Sequence, residues 1–317
     1  MYLVVFLFKF LFNVGKPIFI SIKRAWATII FRQTYKFIPK PVKRYFQKYP
    51  SITIVTGSTK NHYASALPFI ISVAENLPNC NLIFYNLDTA HIPTTIKQVC
   101  ALFGYSFKTF DFSKHPNWFS IESQLNQNTD RFYAGAYSWK PNIIHYELQN
   151  ATCDYLIWCD AGNQISVSFE KKKLLNANEA PQTFYELIAQ GPVTAFTTWH
   201  TIKKLTHQDT VSKLQGEPYL DDEMKMGGCI VLETKNELVH DLITEWKNSC
   251  NDPDLVAPRG ATILNHRYDQ AIFSILFYKY ADKYGWTKHL GNPKAHITIH
   301  HDNNLVRVYG KCHYSNI

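Results

Sequence analysis

Asp160 is the acidic residue whose position in the sequence best suits chemistry. It directly follows the apolar run YLIWC at 155–159 and precedes Ala-Gly-Asn. Such a run predicts a buried strand, and open α/β sheets present ligands at the carboxyl ends of their strands. A carboxylate there is able to hold a metal ion or take part in proton transfer. The same residues also suit an ordinary turn, in which Asp and Gly tolerate the required backbone angles.

A second charged residue, Lys140, is expected at the start of a helix beside the Asp160 strand. In Ser-Trp-Lys-Pro, Ser138 suits an N-cap and Pro141 suits the first helical turn. The N-terminus of a helix attracts anions, so Lys140 is predicted to bind an anionic group. An exposed lysine without a ligand is the alternative. Arg131, upstream in the same polar stretch, is a further candidate for this role.

Glycines mark two other predicted strands. Gly227 and Gly228 stand at the entry of the apolar run CIVLE, where glycine loses packing unless a neighbouring group must approach closely. A β-bulge would explain them as well. Gly57 and Ser58 end the first predicted strand and allow a ligand to approach the backbone. A plain βα turn explains this second pair equally well.

Alternating strands and helices must position these residues. The pattern predicts an α/β fold, a single mostly parallel sheet flanked by helices. Residues 113–137 read as a long polar loop, and residues 201–225 as an irregular charged stretch. The predicted strands cover 51–57, 81–88, 105–112, 155–159, 192–200, 226–235 and 295–301, and the predicted helices cover 63–76, 93–103, 139–150, 181–190, 236–250 and 268–280.

The first 50 residues differ from the rest in charge, which divides the chain into an arm with its linker (1–50) and a globular domain (51–317). The arm contains ten Lys or Arg and no Asp or Glu, whereas the remainder has 23 basic and 25 acidic residues. Lys9, Lys16 and Lys23 share one helical stripe beside apolar and aromatic residues. This pattern predicts that residues 1–38 lie on an anionic membrane surface, at the cytoplasmic face.

Other interpretations of the arm remain open. A spanning helix or signal-anchor is interrupted by Lys9 and by Gly15-Lys16-Pro17. The arm also suits packing on the domain or on a second subunit. We expect no nucleic-acid partner, because basic arms that bind nucleic acid are usually polar. The seven cysteines are scattered without a CxxC pair, which indicates buried reduced thiols.

The order of motifs along residues 51–301 resembles that of the GT-A type of nucleotide-diphospho-sugar glycosyltransferases. It is similar to glycosyltransferase family 8 and to relatives in which a WKP element precedes an hhWhDAG strand. The resemblance implies a GT-A-like (Rossmann-like) domain that transfers a sugar from a nucleotide-diphosphate donor to a hydroxyl of a glycan or lipid-linked acceptor. The motifs that carry it are TGS (56–58), WKP (139–141), YLIWCDAG (155–162), MGGCIVLE (226–233), HRYDQ (266–270) and a late His.

The resemblance also implies donor-site residues. That family holds the donor diphosphate with an Asp-x-Asp motif and a divalent metal, Mn²⁺ or Mg²⁺. Asp160 matches the first acid, but Gly162 stands in place of the second. A metal would then be held by Asp160, by His300 or His301 and by diphosphate oxygens. The residues expected to bind the donor are Thr56, Gly57, Ser58, Arg131, Lys140 and Asp160.

On the acceptor side, the resemblance implies that Gly227 and Gly228 border the sugar and that Asp269 and Gln270 face the active site. A stabilising position at a helix start explains Asp269 equally well. Within the acidic group 221–223, Asp222 is a candidate general base, although most such groups are solvated loops.

Trp199 and His200 end a predicted strand and are candidate acceptor contacts, since sugars stack on aromatic faces. A buried tryptophan at a strand end is the alternative.

Other functions are weighed against glycosyl transfer. A nucleotidyltransferase would need a Gly-rich basic loop after the first strand, and TGSTKNH has one Gly and one Lys. Replacement of the second motif acid leaves a non-catalytic sugar- or nucleotide-binding protein open. A metal hydrolase ranks last, because no HExxH is present, and the absence of GxxxxGK[ST] argues against kinases and P-loop NTPases.

Overall fold

The computed structural model describes residues 50–77, 79–88, 91–119, 130–165, 188–288 and 297–298, with side chains for all of these except 61, 130–133, 297 and 298. The chain divides into two units, Met1–Phe46 and Gln47–Ile317, and every described residue belongs to the second. The predicted membrane arm therefore lies outside the described residues.

A six-stranded sheet forms the centre of this unit, with strand order β3-β2-β1-β4-β7-β6. Strands β1 to β4 run parallel where they pair, β7 is antiparallel to β4, and β6 is antiparallel to β7. Five of the six strands therefore point the same way, and the predicted mostly parallel sheet is confirmed. The strands are β1 (Ile52–Ser58), β2 (Asn81–Asn86), β3 (Ser106–Thr109), β4 (Tyr155–Cys159), β6 (Val193–Thr201) and β7 (Glu223–Glu233).

Helices flank the sheet. Six of them, α3 to α8, share one continuous apolar core with residues of β1, β4 and β7. Asn236 caps α6, since its side chain accepts a hydrogen bond from the Leu238 amide at 3.1 Å. The helices are α1 (Tyr63–Asn76), α2 (Thr94–Phe103), α3 (Trp139–Gln149), α4 (Ile202–Leu205), α5 (Gln208–Leu214), α6 (Glu237–Cys250), α7 (Pro253–Val256) and α8 (Tyr268–Tyr284).

Several local expectations are wrong. The stretch 201–225 contains α4 and α5, because its apolar residues Ile202, Leu205, Val211 and Leu214 are buried. Strand β7 begins at Glu223, so the two glycines lie inside the strand and not at its entry. Ser138 precedes α3, but its side chain makes no capping hydrogen bond, because the residue itself has helical backbone angles.

The stretch 113–137, expected to be a loop, contains short 3₁₀ helices at Asn117–Phe119 and Asp130–Tyr137 among its described residues. The helix predicted at 181–190 lies outside the described residues for most of its length.

A second, two-stranded sheet joins the end of the domain to the Asp160 region. Strand β5 (Gln164–Ile165) pairs with β8 (Ile297–Thr298), and Ile165 is held by α1 through the Ser72 hydroxyl at 3.0 Å. Strand β8 ends two residues before His300 in the sequence. His300 and His301 themselves lie outside the described residues.

The cysteines match the expectation as far as they are described. Six are buried thiols, Cys80, Cys100, Cys153, Cys159, Cys229 and Cys250, and Cys312 lies outside the described residues. Within the described ranges, no helix combines the length and apolarity needed to cross a membrane.

Candidate functional site

Asp160 is both a turn residue and a partly exposed acid at the edge of the sheet. Its amide donates to the Gly228 carbonyl at 3.0 Å, and its carbonyl accepts from the Asn163 amide at 2.9 Å, which closes the Asp-Ala-Gly-Asn turn. The side chain remains 30% exposed. Its carboxylate is therefore accessible where the carboxyl ends of β1, β2, β3, β4 and β6 meet, as the sequence predicted.

The two carboxylate oxygens of Asp160 differ in their surroundings. Oδ1 accepts a hydrogen bond from the indole N–H of Trp158 at 2.7 Å and lies 3.5 Å from the ammonium of Lys140. Among the described residues, nothing donates a hydrogen bond to Oδ2. Oδ1 is thus bound within the protein, whereas Oδ2 keeps unused capacity to accept a hydrogen bond from these residues.

Gly228 allows the Asp160 carboxylate to pack against the backbone of β7. A Cβ at this position would lie 2.9 Å from Asp160 Oδ2, closer than real contacts allow. Asn163 closes the other side, since its amide group donates to the Gly228 carbonyl at 2.8 Å. The expectation that a neighbouring group approaches Gly228 closely is confirmed, and that group is the Asp160 carboxylate. Gly227 instead faces Gln270, whose Cβ would lie 3.3 Å from a Cβ at 227.

Lys140 is buried, so the alternative of an exposed lysine is wrong. Its side chain is 7% exposed, and its ammonium donates to the Gly227 carbonyl at 3.2 Å. It also lies 3.6 Å from Asp269 Oδ2, in addition to its contact with Asp160. Burial by itself lowers the pKa of a lysine, but the attraction of these two carboxylates outweighs it and the pKa of Lys140 is raised. The ammonium is therefore charged and held by two acids.

Aromatic rings complete the surroundings of Lys140. The centroids of Tyr137, Trp139 and Trp158 lie 5.7, 6.0 and 5.6 Å from its nitrogen. These distances are within the range of cation–π attraction, which is stronger where water is excluded. The rings thus help to hold a charge that burial alone would disfavour.

Asp269 lies in the first turn of α8 and faces Lys140. The residue is 2% exposed, and its Oδ2 has no hydrogen-bond donor among the described residues. Burial raises the pKa of this carboxyl to about 6, with Lys140 acting in the opposite direction and Asp160 adding to the rise. The Asp269 carboxylate is therefore a buried partner of Lys140, with almost no surface to offer an acceptor.

The backbone angles are unusual just before α3, which carries Lys140, and at the first residue of α8, which carries Asp269. Residues 134–137 all have positive φ, between 49° and 60°, and Tyr268 has φ of 45°. Left-handed angles cost about 1–2 kcal/mol for each residue other than glycine, and such strain concentrates at functional sites. Gly135 is required, because a Cβ there would lie 2.2 Å from the Phe119 carbonyl oxygen. The rings of Tyr137 and Tyr268 meet at 6.2 Å, which joins the two turns.

The residues predicted to bind the donor at the end of β1 have mixed surroundings. Thr56 is buried, and its hydroxyl has no hydrogen-bond partner among the described residues. The Ser58 hydroxyl donates to the Thr59 carbonyl at 3.0 Å. A Cβ on Gly57 would lie 3.3 Å from a side-chain carbon of Leu87 and 3.5 Å from the Trp158 ring. Side-chain packing therefore explains Gly57 without a ligand.

The structure does not bring every predicted residue to Asp160. Asp222 precedes β7 and lies six positions from Gly228, on the order of 20 Å along extended chain. Trp199 is 84% exposed near the carboxyl end of β6, which shows that the alternative of a buried tryptophan is wrong. Gln270 is tied to β7, donating to the Lys225 carbonyl at 2.8 Å. Arg131 lies in a 3₁₀ helix, and its side chain is not described.

Two kinds of residue at this sheet edge were missed by reasoning from the sequence. Trp158 donates a hydrogen bond to Asp160, and Asn163 donates one to the Gly228 carbonyl. Their positions close to Asp160 in the sequence could have indicated this role. Tyr63 and Asn86 lie at the ends of α1 and β2, joined by a hydrogen bond of 2.6 Å from the phenol to the amide oxygen. The signal for that pair was the place of Asn86 at the carboxyl end of β2, with Tyr63 in the helix that follows β1.

Solved structures with a similar arrangement of the chain are glycosyltransferases, the class whose motifs the sequence resembles. Galactosyltransferase LgtC, in complex with donor and acceptor sugar analogues, is 16% identical, with a TM-score of 0.41 over 71% of this chain and 70% of that chain. Mouse xyloside xylosyltransferase 1, in its apo form, is 13% identical, with a TM-score of 0.40 over 77% of this chain and 86% of that chain.

The apo structure of the bifunctional glycosyltransferase WbbM is 13% identical, with a TM-score of 0.43. The match covers 87% of this chain and 47% of WbbM. No family model matches the sequence, and no match is found among curated proteins.

Proposed function

We propose that this protein is a glycosyltransferase that binds a nucleotide-diphosphate sugar at the carboxyl ends of β1 and β4. The observation that carries the proposal is the Asp160 carboxylate, which is partly exposed and fixed through Oδ1, while Oδ2 accepts no hydrogen bond from the described residues. Gly228 lacks the Cβ that would come within 2.9 Å of Oδ2 and displace the carboxylate. A strand-end acid held in this way suits the recognition of a ligand at the crevice of an open α/β sheet.

Charge supports a divalent cation as part of the donor site. Asp160, Lys140 and Asp269 together carry a net charge of about −1 when both acids are ionised, so a bare diphosphate would be repelled. Asp160 Oδ2 is a hard oxygen of the kind that Mn²⁺ and Mg²⁺ prefer. A bound cation would stabilise the negative charge that develops on the leaving diphosphate.

The protein ligands for that cation are only partly described. Among the described residues, no group of three or more His, Cys, Asp or Glu is able to hold a metal. Asp160 is the one protein ligand that we assign there. His300 and His301 remain candidates on sequence grounds, and β8 pairs next to the Asp160 turn two residues before them. Diphosphate oxygens and water would complete the coordination.

Lys140 takes a different role from the one first expected. Because it is buried and contacts two carboxylates, we propose that it acts on the donor through Asp160 and not by direct contact with the diphosphate. Asp269 likewise supports Lys140. The acceptor would then meet the exposed residues of the same sheet edge, where Trp199 offers an aromatic face for a glycan or lipid-linked sugar.

A membrane surface is a further part of the proposal, and it rests on the arm alone. Ten cations without an acid among apolar residues suit an anionic leaflet at the cytoplasmic face. The full chain should co-sediment with vesicles that contain anionic lipid. It should dissociate from them at high salt, because exposed charges are then screened. Equal binding to vesicles of neutral lipid would contradict the electrostatic part of this proposal.

The enzymatic proposal is tested by product release. Purified protein is incubated with a panel of nucleotide sugars, with and without Mn²⁺, and free nucleoside diphosphate is measured by mass spectrometry. We expect release from one donor, dependent on the cation and lost in Asp160→Asn. Asp241→Asn, which alters an exposed acid of α6, is the matched control and should behave as wild type.

A non-catalytic sugar- or nucleotide-binding protein is the second candidate function. It is favoured by Gly162 at the second acid position, which leaves one assigned cation ligand among the described residues. Donor binding without release of product, over long incubation and with a range of acceptors, would support this candidate. The same outcome would contradict the transferase.

A further inference from the structure

Trp158 lies two residues before Asp160 on β4, so the two side chains project from the same face of the sheet. The indole is 1% exposed, and its N–H donates to Asp160 Oδ1 at 2.7 Å. A buried indole N–H usually finds an acceptor, and a hydrogen bond to a carboxylate is stronger than one to a neutral group. This bond is therefore a strong restraint on the rotamer of Asp160.

The indole itself is held firmly in place. Its ring edge lies close to the Gly57 backbone, since a Cβ on Gly57 would be 3.5 Å from the Cη2 atom of Trp158. Trp139 packs against it with ring centroids 6.0 Å apart. The Lys140 ammonium lies 5.6 Å from its ring. Trp158 thus spans the sheet edge from the end of β1 to the end of β4, and it has little freedom to turn.

We propose that Trp158 is the positioning residue that decides which oxygen of Asp160 meets the ligand. The indole N–H holds Oδ1, and Lys140 attracts the same oxygen. The opposite oxygen, Oδ2, lies against Gly228, where a Cβ would come within 2.9 Å of it. A cation or donor diphosphate site would therefore engage Asp160 through Oδ2 alone. This inference rests on the proposed function for the identity of the ligand, but not for the positioning itself.

The side-chain type matters for this role. Phenylalanine has no donor, and the indole N–H is the only polar atom that Trp158 presents to the carboxylate. Supporting hydrogen bonds of this kind typically change metal affinity about 10- to 100-fold when they are lost. We therefore expect Trp158→Phe to weaken ligand binding more than it weakens the fold.

The first arm of the test needs no ligand. The indole resonances of ¹⁵N-tryptophan-labelled protein are assigned, and wild type is compared with Asp160→Ala, in which Trp158 is intact. Loss of the acceptor should move the Trp158 N–H signal upfield and speed its exchange with solvent, while the Trp286 signal stays in place. An unchanged Trp158 signal would overturn the proposal, because the bond to Asp160 would then be absent in solution.

The second arm measures binding of uridine, adenosine and guanosine diphosphates, each with Mn²⁺, by calorimetry. When Asp160 is present, Trp158→Phe should lower the affinity for the tightest-binding diphosphate about tenfold. When it is combined with Asp160→Ala, it should cause no further loss of affinity. Trp286→Phe, a buried ring of the α8 region, is the control for packing damage. The same loss in both backgrounds, or no loss in the first, would show that Trp158 does not act through Asp160.

The two arms separate the two proposals. If wild type binds none of the diphosphates, the proposed function fails, and the indole resonance alone decides whether Trp158 holds Asp160. If wild type binds one of them and the resonance does not depend on Asp160, the proposed function stands and the positioning role is wrong.

Discussion

Lys140 and Asp269 form a buried ion pair whose atoms are 3.6 Å apart, and Asp269 Oδ2 has no hydrogen-bond donor among the described residues. Lys140 also contacts Asp160, the partly exposed acid of the site. A buried charge is tolerated only with a partner, so the position of each group depends on the other two. The buried pair of Lys140 and Asp269 thus fixes the position of the partly exposed Asp160 carboxylate.

Removal of the Lys140 charge should destabilise the fold strongly. Lys140→Met keeps the apolar stem but leaves two carboxylates without their cation, and breaking a buried pair in this way costs about 3 kcal/mol or more. Urea unfolding measures the change in the free energy of unfolding. Lys97→Met, on the exposed side of α2, should change it by about 0.5 kcal/mol or less. Equal effects of the two changes would contradict the buried pair.

Asp269 should make stability fall as pH rises through mildly acidic values. Its pKa is raised by burial from the model-peptide value of 3.8 to about 6, with Lys140, Asp160 and Cys250 as its charged or titratable neighbours. Between these values the native state keeps a proton that the unfolded chain has released, so each pH unit removes up to about 1.4 kcal/mol. The difference in unfolding free energy between wild type and Asp269→Asn should therefore fall from pH 4 to 6 and then level off. Parallel curves would contradict the shifted pKa.

His266 should act in the opposite direction. It is buried, accepts from the His207 amide at 3.2 Å and contacts the Val256 carbonyl at 2.9 Å, and burial lowers its pKa from 6.5 to about 4. In that window the unfolded chain binds a proton that the native state does not, so stability is lost as pH falls below 6.5. Wild type should lose stability relative to His266→Gln when pH is lowered from 7 to 4.5. A constant difference across this range would contradict a buried neutral imidazole.

Gly228→Ala should impair binding more than folding. The added Cβ would lie 2.9 Å from Asp160 Oδ2, so the carboxylate must move from the position that it presents to a ligand. We expect an affinity for the donor that is lower by about tenfold. Gly191→Ala is the matched control, because its nearest neighbour would be 3.9 Å away and its backbone angles are ordinary. Donor affinity equal to wild type in Gly228→Ala would show that Oδ2 is not the contact.

Local patterns were sufficient to predict the frame of the site. The apolar run before Asp160 forms β4, and Pro141 lies in the first turn of α3, because a short buried strand and an N-terminal proline depend on neighbouring residues alone. The glycine signal at 228 was also informative, since glycine inside a strand weakens it unless something approaches closely. Fold class and the location of the acid therefore followed from the sequence.

The partners of the charged residues could not be predicted in the same way. Lys140 and Asp269 belong to helices far apart in the chain, and their contact depends on how α3 and α8 pack on the sheet. Lys140 was predicted to bind an anionic group, and in the structure its ammonium contacts carboxylates from two other parts of the chain. The rotamer of Trp158 is likewise set by Gly57, Trp139 and Lys140.

Calorimetric titration of the donor selected from the nucleotide-sugar panel tests the central claim most directly, namely that Asp160 is the donor contact. Wild type and Asp160→Asn are compared in the presence of Mn²⁺, with Asp241→Asn as the control for loss of an acidic charge. We predict an affinity at least about tenfold lower in Asp160→Asn and unchanged in Asp241→Asn, because charge-assisted contacts are worth about 1.5–3 kcal/mol. Equal affinities of wild type and Asp160→Asn, with both proteins folded, would contradict the account.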